Sequence, residues 1–162
     1  MKTENTLKPK TVDESRTEQV QILTQSTLNG TKRLFGGQLM QWIDIVAAVV
    51  ARRHSGCNIT TAVVDTLQFI NPAYGNDMVV LEGYMTYTGR TSMEVCVKTY
   101  VESLDGKRHE INTAYIVMVA LDENENPTQV PPLLITTDEE KEEWNAAVKR
   151  NDLRKLRRKE RF

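Results

Sequence analysis

Apolar and polar residues change their spacing several times along this chain. Residues Gln38 to Arg53 contain no glycine or proline and carry apolar side chains on nearly every face. That pattern predicts a helix that is buried all round. Residues Ser92 to Glu102 instead alternate between apolar and polar side chains, which is the period of a strand. The same criteria predict further strands over Gln19 to Leu28, Ile59 to Ile70, Met78 to Thr88 and Glu110 to Leu121.

The order of these elements indicates an α+β domain. One strand precedes the apolar helix, and four strands joined by short turns follow it, with the hairpin signal Asp105-Gly106 before the last strand. Sequential strands with short connections form antiparallel sheets. We therefore expect an antiparallel sheet wrapped around a central helix. A Thr-x-x-Glu capping box at Thr137 to Glu140 predicts an additional surface helix near the C-terminus.

Three segments follow from this pattern. Residues 1–16 are polar without an apolar period and are expected to form a flexible arm. Residues 17–122 carry the single folded domain. Residues 123–162 are expected to hold a linker followed by a helix with a basic end, which is more often a solvated helix end or a disordered tail than a ligand site.

Composition removes several functional classes. The 162 residues carry a formal net charge of −1, which favours neither nucleic acid nor a membrane surface as partner. The longest apolar run, Ile45 to Ala51, is too short to span a bilayer. The two cysteines and two histidines show no metal-ligand spacing, and common nucleophile and phosphate-loop motifs are missing. A reducing cytoplasm is the expected location.

Asp44 is the one charged residue between Gln38 and Ala51. A carboxylate in a buried helix is costly, and proteins tolerate that cost mainly at functional sites. The alternative is an aspartate on a narrow polar stripe, which Gln41 would share. For Asn29 an ordinary Asn-Gly turn is the better explanation from the residues alone. His54 suits the C-terminal end of a helix, and His109 is expected to be exposed beside a hairpin.

Several separated motifs resemble the acyl-CoA hydrolase family of hotdog thioesterases, in its single-hotdog bacterial form. The stretches that carry the resemblance are Asn29-Gly30, Leu34 to Asp44, Ala51 to His54, Thr60 to Ala62, Asp65, Phe69-Ile70, Pro72 and Gly89 to Val95. The resemblance implies a hotdog fold and hydrolysis of acyl-CoA to a carboxylic acid and coenzyme A. It also implies catalytic roles for Asp44 and Asn29.

The resemblance also implies a homo-oligomer. Two hotdogs of this family pair through their sheets, share active sites across the interface, and often assemble into a trimer of dimers. Acyl-CoA is then the expected ligand, and no cofactor is needed because coenzyme A is part of the substrate.

Membership of this family, together with the chemistry of thioester hydrolysis, would give further residues a role. Backbone amides at Gly36 and Gly37 at the start of the helix would form an oxyanion site. Asp44 would act as general base or as nucleophile. The turn Gly89-Arg90-Thr91-Ser92 is a candidate for binding coenzyme A, although a plain hairpin explains it about equally well. The acyl chain would lie along the helix against Leu39, Met40 and Ile43, and the basic tail would at most reach a phosphate.

Two alternatives come from different functional classes. A hotdog dehydratase would place a histidine near the start of the helix, and His54 lies at its far end. A non-catalytic acyl-CoA sensor would bind acyl-CoA without turnover and tolerate loss of Asp44.

Overall fold

A 20-residue helix packs against one face of a five-stranded antiparallel sheet in the computed structural model, which describes residues 7–162. The sheet order is β2-β4-β5-β6-β3. In chain order the elements are β1 (Lys10–Thr11), β2 (Thr17–Ile22), a 3-10 turn (Gln25–Thr27), α1 (Gly36–Ser55), β3 (Asn58–Phe69), β4 (Met78–Thr88), β5 (Ser92–Glu102), β6 (Arg108–Leu121), β7 (Leu133–Leu134) and α2 (Asp138–Glu160).

The predicted α+β architecture is confirmed. Helix α1 extends two residues beyond the predicted range at each end, and β3 to β6 lie within two residues of their predicted bounds. The first strand is the exception, because β2 ends at Ile22 and the chain then enters the 3-10 turn instead of continuing to Leu28. Backbone bonds from this turn to the following loop, such as Phe35 N to Thr27 O, replace sheet pairing there.

The core lies between α1 and the inner face of the sheet. Leu39, Ile43, Val46 and Val50 project from one side of the helix and are buried. Gly83 of β4 lies beneath Val46 and Val50, and its missing side chain lets the helix approach closely. Alternating residues of β5 and β6 complete the layer, namely Met93, Val95, Val97, Ala114, Ile116 and Met118.

The prediction that α1 is buried all round is wrong for the single chain. Met40, Gln41, Asp44 and Ile45 are exposed along one flank of the helix. This flank lies beside β3, which is one of the two edge strands of the sheet, so no further strand covers it. None of the helices within residues 7–162 is long and apolar enough to cross a bilayer.

Part of the expected N-terminal arm packs against the body of the protein. Strand β1 pairs in parallel with β7, and the side chain of Val12 belongs to the core. Arg53 of α1 donates to the carbonyl of Arg16, and Lys10 donates to the carbonyl of Arg53. Residues 10–16 are therefore held in place by backbone pairing and burial, while residues 1–6 lie outside the described part.

Helix α2 covers the outer face of the sheet. Thr137 caps it by accepting a hydrogen bond from the Glu140 amide at 3.1 Å, as the capping box predicts. Its basic end was expected to be solvated, yet Arg150 and Arg154 reach Glu94 of β5 at 2.8 and 2.7 Å. The Glu94 side chain has no exposed surface, and Thr86 also donates to it. Loss of one partner from a buried pair of this kind costs about 3–5 kcal/mol, so this contact fastens α2 to the sheet.

His54 lies in the last turn of α1, at the helix C-terminus as predicted, and its side chain is buried. Its Nε2 donates to the carbonyl of Pro131 at 2.8 Å, while Nδ1 has no partner among the described residues. Burial lowers the pKa of His54 below its ordinary value of 6.5. The neutral ring thus ties the end of the central helix to the segment that leads into β7.

Gly83→Ala is expected to lower the free energy of unfolding by about 1–3 kcal/mol, because overpacking a core forces side chains to shift. The added Cβ would lie 2.6 Å from Val46 Cγ1 and 3.0 Å from Val50 Cγ2. Gly30→Ala is the control, since its Cβ would meet no atom within 4 Å. Urea denaturation of both variants measures the difference, and equal stabilities would contradict the packing described above.

His54→Gln is expected to reduce the acid sensitivity of the fold. A pKa lowered by folding means that the unfolded chain binds the proton more readily. Stability from His54 is therefore fully present above pH 6.5 and is lost as the pH falls below that value. Denaturation at pH 7.5 and 5.5 should show a smaller difference in His54→Gln than in the parent. His109→Gln, at an exposed position, should retain the parent's difference.

Candidate active site

The carboxylate of Asp44 accepts a hydrogen bond from the hydroxyl of Thr61 at 2.7 Å. Asp44 projects from the exposed flank of α1, and Thr61 lies on the neighbouring edge strand β3. The bond engages Oδ1 and fixes the orientation of the carboxyl group. Oδ2 has no hydrogen-bond partner among residues 7–162, so one oxygen of a fixed carboxylate faces the open side of the sheet.

Thr61 did not stand out as a site residue in the sequence. It lies in a β-branched strand, where threonine is common for conformational reasons alone. Its hydroxyl contacts Met118 Sδ at 3.4 Å in addition to Asp44. The register of β3 against β6 brings Thr61 to the helix side, and that register depends on irregularities that the pattern does not reveal.

Asn29 is held rigidly in the loop before α1. Its Oδ1 accepts from the Thr31 amide at 3.0 Å, the Thr31 hydroxyl at 2.7 Å and the Arg33 amide at 3.2 Å. Backbone amides only donate, so these contacts identify the side-chain oxygen and turn Nδ2 the other way. Nδ2 has no acceptor within the described chain. Asn29 is thus a fixed donor of hydrogen bonds and also an ordinary turn residue.

The N-terminus of α1 carries amides without intrahelical partners. Phe35 is the N-cap residue and supplies no side-chain cap, and the first bond of the helix runs from Leu39 N to Phe35 O. The amides of Gly36 and Gly37 therefore remain available. A Cβ on Gly37 would lie 2.6 Å from the Phe35 ring. The glycine at position 37 therefore leaves room for the Phe35 ring, in addition to any close approach of a ligand.

A cleft of about 270 Å³ opens beside this end of the helix. Its polar rim includes Asn29 and Arg33. Its apolar lining comprises Leu34, Leu39, Phe69, Ile70, Pro72, Ala73 and Ile111. Asn29 and the α1 N-terminus therefore border a partly apolar cleft, a form typical of sites for small apolar groups.

The turn Gly89 to Ser92 joins β4 to β5 as a tight hairpin. Its Gly89 amide donates to the Ser92 carbonyl at 2.9 Å, and the Arg90 carbonyl accepts from Val130. The Arg90 side chain is exposed. Ser92 pairs with Val119 of β6, which in turn pairs with Thr60 of β3. The hairpin therefore lies at the same end of the sheet as Thr61 and Asp44.

The sequence-predicted residues fall into two groups within one chain. Asn29, Gly36 and Gly37 lie near Phe69, at the end of β3. Asp44 and the hairpin Gly89–Ser92 lie near Thr61, at the start of β3. Thr61 and Phe69 pair with Met118 and Asn112, which are six residues apart on β6. That separation is about 20 Å along the strand. One chain alone does not bring all of these groups to a single reacting bond.

The basic tail of α2 is engaged elsewhere. Arg150 and Arg154 bind Glu94, and Arg154 and Arg157 bind Asp65 of β3 at 2.9 and 2.8 Å. Three of its arginines thus serve the contact between helix and sheet.

Comparison with known proteins places this geometry in context. Residues 31–105 match the model of the thioesterase superfamily. The uncharacterized acyl-CoA thioester hydrolase YkhA of Bacillus subtilis is 41% identical over 132 residues, which cover 81% of this chain and 77% of that protein. The chain spans only 36% of the cytosolic acyl coenzyme A thioester hydrolase of Rattus norvegicus, to which it is 32% identical.

Solved structures agree with this assignment. An apo-hexameric acyl-CoA thioesterase is 36% identical with a TM-score of 0.89, covering 93% of this chain and 97% of that one. The acyl-CoA hydrolase of Staphylococcus aureus, in complex with butyryl coenzyme A, coenzyme A and coenzyme A disulfide, is 32% identical with a TM-score of 0.89, covering 93% of each chain.

Alanine variants of the Staphylococcus aureus enzyme have also been solved. They replace an aspartate, an asparagine and a threonine. These three residues have the same spacing along their chain as Asp44, Asn29 and Thr61 have here. The sequence identity to YkhA over most of both chains, together with the shared hotdog architecture, shows that this chain belongs to the acyl-CoA thioester hydrolases of the thioesterase superfamily.

Proposed function

We propose that this chain hydrolyses the thioester bond of acyl-CoA in active sites shared between two copies. The observation that carries the proposal is the fixed carboxylate of Asp44, which Thr61 orients on an uncovered flank beside an edge strand. The relatives are named for this activity, and the solved relative from Staphylococcus aureus is described with coenzyme A compounds.

The second copy is expected to pair through β3. An edge strand presents unpaired backbone amides and carbonyls, which favour addition of another strand. Apolar side chains are exposed on this strand and on the adjoining flank of α1, as expected of a surface that becomes buried. These residues are Val63, Val64, Phe69, Met40 and Ile45. We further propose that such dimers assemble as a trimer of dimers, since solved relatives are hexameric.

Two-fold pairing would unite the two groups of site residues. An isologous contact between identical strands is antiparallel, so the start of one β3 lies opposite the end of the other. Thr61 and Asp44 of one copy then approach the partner's Asn29, Gly36 and Phe69. The separation of about 20 Å within one chain is removed by the symmetry of the pair.

The reaction follows from these groups. Asp44 accepts a proton from water, whose oxygen attacks the thioester carbonyl carbon. Negative charge on the carbonyl oxygen is stabilised by the amides of Gly36 and Gly37, and Nδ2 of Asn29 donates to water or thioester. The tetrahedral intermediate collapses with cleavage of the carbon–sulfur bond. The thiolate leaves and takes up the proton that Asp44 accepted from water, which yields a carboxylic acid and coenzyme A and restores the Asp44 carboxylate.

The same arrangement suggests where the rest of the substrate lies. The apolar cleft that Leu39 and Phe69 line would receive the acyl group. Of the three helix residues expected to contact the acyl chain, Leu39 is the best placed, because it lines this cleft whereas Met40 and Ile43 do not. The Gly89–Ser92 hairpin, with the exposed guanidinium of Arg90, would contact the phosphates of coenzyme A. The reaction requires no cofactor, and the unpaired thiols Cys57 and Cys96 suit a cytoplasmic location.

Asp44→Asn is expected to lower kcat about a hundredfold or more, because the amide cannot accept the proton from water. Thr61→Val should lower kcat about tenfold, because it retains the Asp44 carboxylate but removes the hydrogen bond that fixes its orientation. Release of thiol from acyl-CoAs of increasing chain length measures both effects.

Thr60→Val is the matched control for Thr61→Val. Thr60 precedes it on the same strand, is exposed, and makes no side-chain hydrogen bond within the described residues. Its kcat should equal that of the parent. Binding of acyl-CoA without thiol release by the parent would instead support the sensor alternative, and full activity in Asp44→Asn would exclude Asp44 from the chemistry.

Mixing two inactive variants tests whether the sites are shared. In a dimer of one Asp44→Ala chain and one Asn29→Ala chain, one site loses both residues and the other keeps both. Random exchange of subunits should therefore restore about a quarter of the parental activity.

The two variants are first dissociated and then reassociated together, with each variant alone treated identically as control. Sites built within a single chain would show no recovery on mixing, and that result would disprove the shared site. Sedimentation of the mixture verifies that the chains have reassembled.

A further inference from the structure

Edge strand β3 contains two bulges where it pairs with β6. Thr61 pairs with Met118 and Val63 with Val117, so Ala62 is an extra residue. Val64 pairs with Ile116 and Thr66 with Tyr115, so Asp65 is a second extra residue. Bulges bend a strand and redirect side chains, and they are frequent beside active sites.

The two bulges together determine which way Thr61 points. Leu67 pairs with Ala114, which shares the inner face of β6 with Met118, so Thr61 faces α1 as Leu67 does. If β3 lacked the bulge at Asp65, the first half of the strand would shift its pairing with β6 by one residue. Thr61 would then lie opposite Val119, and a slip of one residue turns every side chain to the other face. The hydroxyl of Thr61 would no longer reach Asp44.

Two arginines of α2, Arg154 and Arg157, bind the Asp65 carboxylate on the outer face of the sheet. Its Oδ2 accepts from Arg154 at 2.9 Å and its Oδ1 from Arg157 at 2.8 Å. Only 4% of its side chain is exposed. Arg154 also donates to the fully buried Glu94 at 2.7 Å, so this guanidinium is held in place by a second carboxylate. A charged residue at the bulge is thereby tied to helix α2 and, through Glu94, to the middle strand of the sheet.

We propose that Asp65 is a positioning residue for hydrolysis, which holds the bulge of β3 open so that Thr61 presents its hydroxyl to Asp44. The inference rests on the proposed function and deepens it, because it makes the C-terminal helix part of the apparatus that orients the catalytic carboxylate. Arg154 and Arg157 act through Asp65 and not on the substrate.

Asp65→Asn and Arg157→Gln test the proposal. The first keeps the size of the side chain and removes its charge, and the second removes a half-exposed guanidinium that contacts Asp65. Asp65→Asn is expected to lower kcat about tenfold to a hundredfold, since small displacements of reacting groups have effects of that size. KM should stay within about twofold of the parent. Hydrogen exchange should accelerate in β3 and stay unchanged in α1.

Arg157→Gln should act in the same direction but less, because Arg154 still holds Asp65. The double variant should resemble Asp65→Asn alone, as expected for residues that act through one contact. Asp152→Asn is the matched control, because this aspartate lies on the exposed face of α2 with its side chain 68% exposed. Its kcat and its exchange should equal those of the parent.

Unchanged kcat in Asp65→Asn would overturn the inference, even if the melting temperature falls. Exchange that accelerates equally in all elements would also overturn it, since Asp65 would then support the fold as a whole. Should Asp65→Asn fail to fold, the same criteria apply to Arg157→Gln. A parent that releases no thiol would refute the proposed function, whereas exchange in β3 needs no substrate and still decides whether Asp65 holds the bulge.

Discussion

An uncovered edge strand is the constraint on which the rest of this structure depends. Strand β3 leaves one row of backbone groups unpaired and one flank of the central helix exposed, with apolar side chains on both. Such an edge is a liability for a monomer and an interface for a dimer. The candidate catalytic groups lie at opposite ends of this strand, so the antiparallel contact that we propose with a second copy would both bury the edge and assemble the site.

The strand at this edge is held from three directions. Pairing with β6 sets its register, the Thr61–Asp44 bond ties it to α1, and the Asp65 carboxylate ties it to α2. Fully buried Glu94 receives two arginines from the same helix, and removing one member of a buried ion pair costs more than an exposed pair is worth. Helix α2, which covers the outer face of the sheet, therefore contributes to the position of Thr61 and Asp44 on the inner face.

Thioester hydrolysis suits a site of this simplicity. A thiolate is a good leaving group, so a fixed carboxylate and a few donors of hydrogen bonds are sufficient. The free end of α1 supplies donors from the backbone, which are set in place when the helix forms. Asn29 has its oxygen occupied by three donors, and its nitrogen has no acceptor among residues 7–162, so contacts within the chain determine the orientation of its amide.

Periodicity alone determined the order and type of the main elements, because burial of one face imposes a spacing on apolar residues. A single charge within an apolar helix made Asp44 a candidate, and the family resemblance favoured that role over a place on a polar stripe. Asn29 was assigned only through the family resemblance, since its local pattern is that of a turn. The roles of Thr61, Asp65 and Glu94 required the tertiary structure. They depend on bulges and on contacts between residues up to 92 positions apart, and no local spacing encodes such contacts. The tertiary structure was also needed to see which flank of α1 is exposed in the single chain. An apolar sequence pattern predicts a buried surface, but it does not say whether the same chain or a second copy covers that surface.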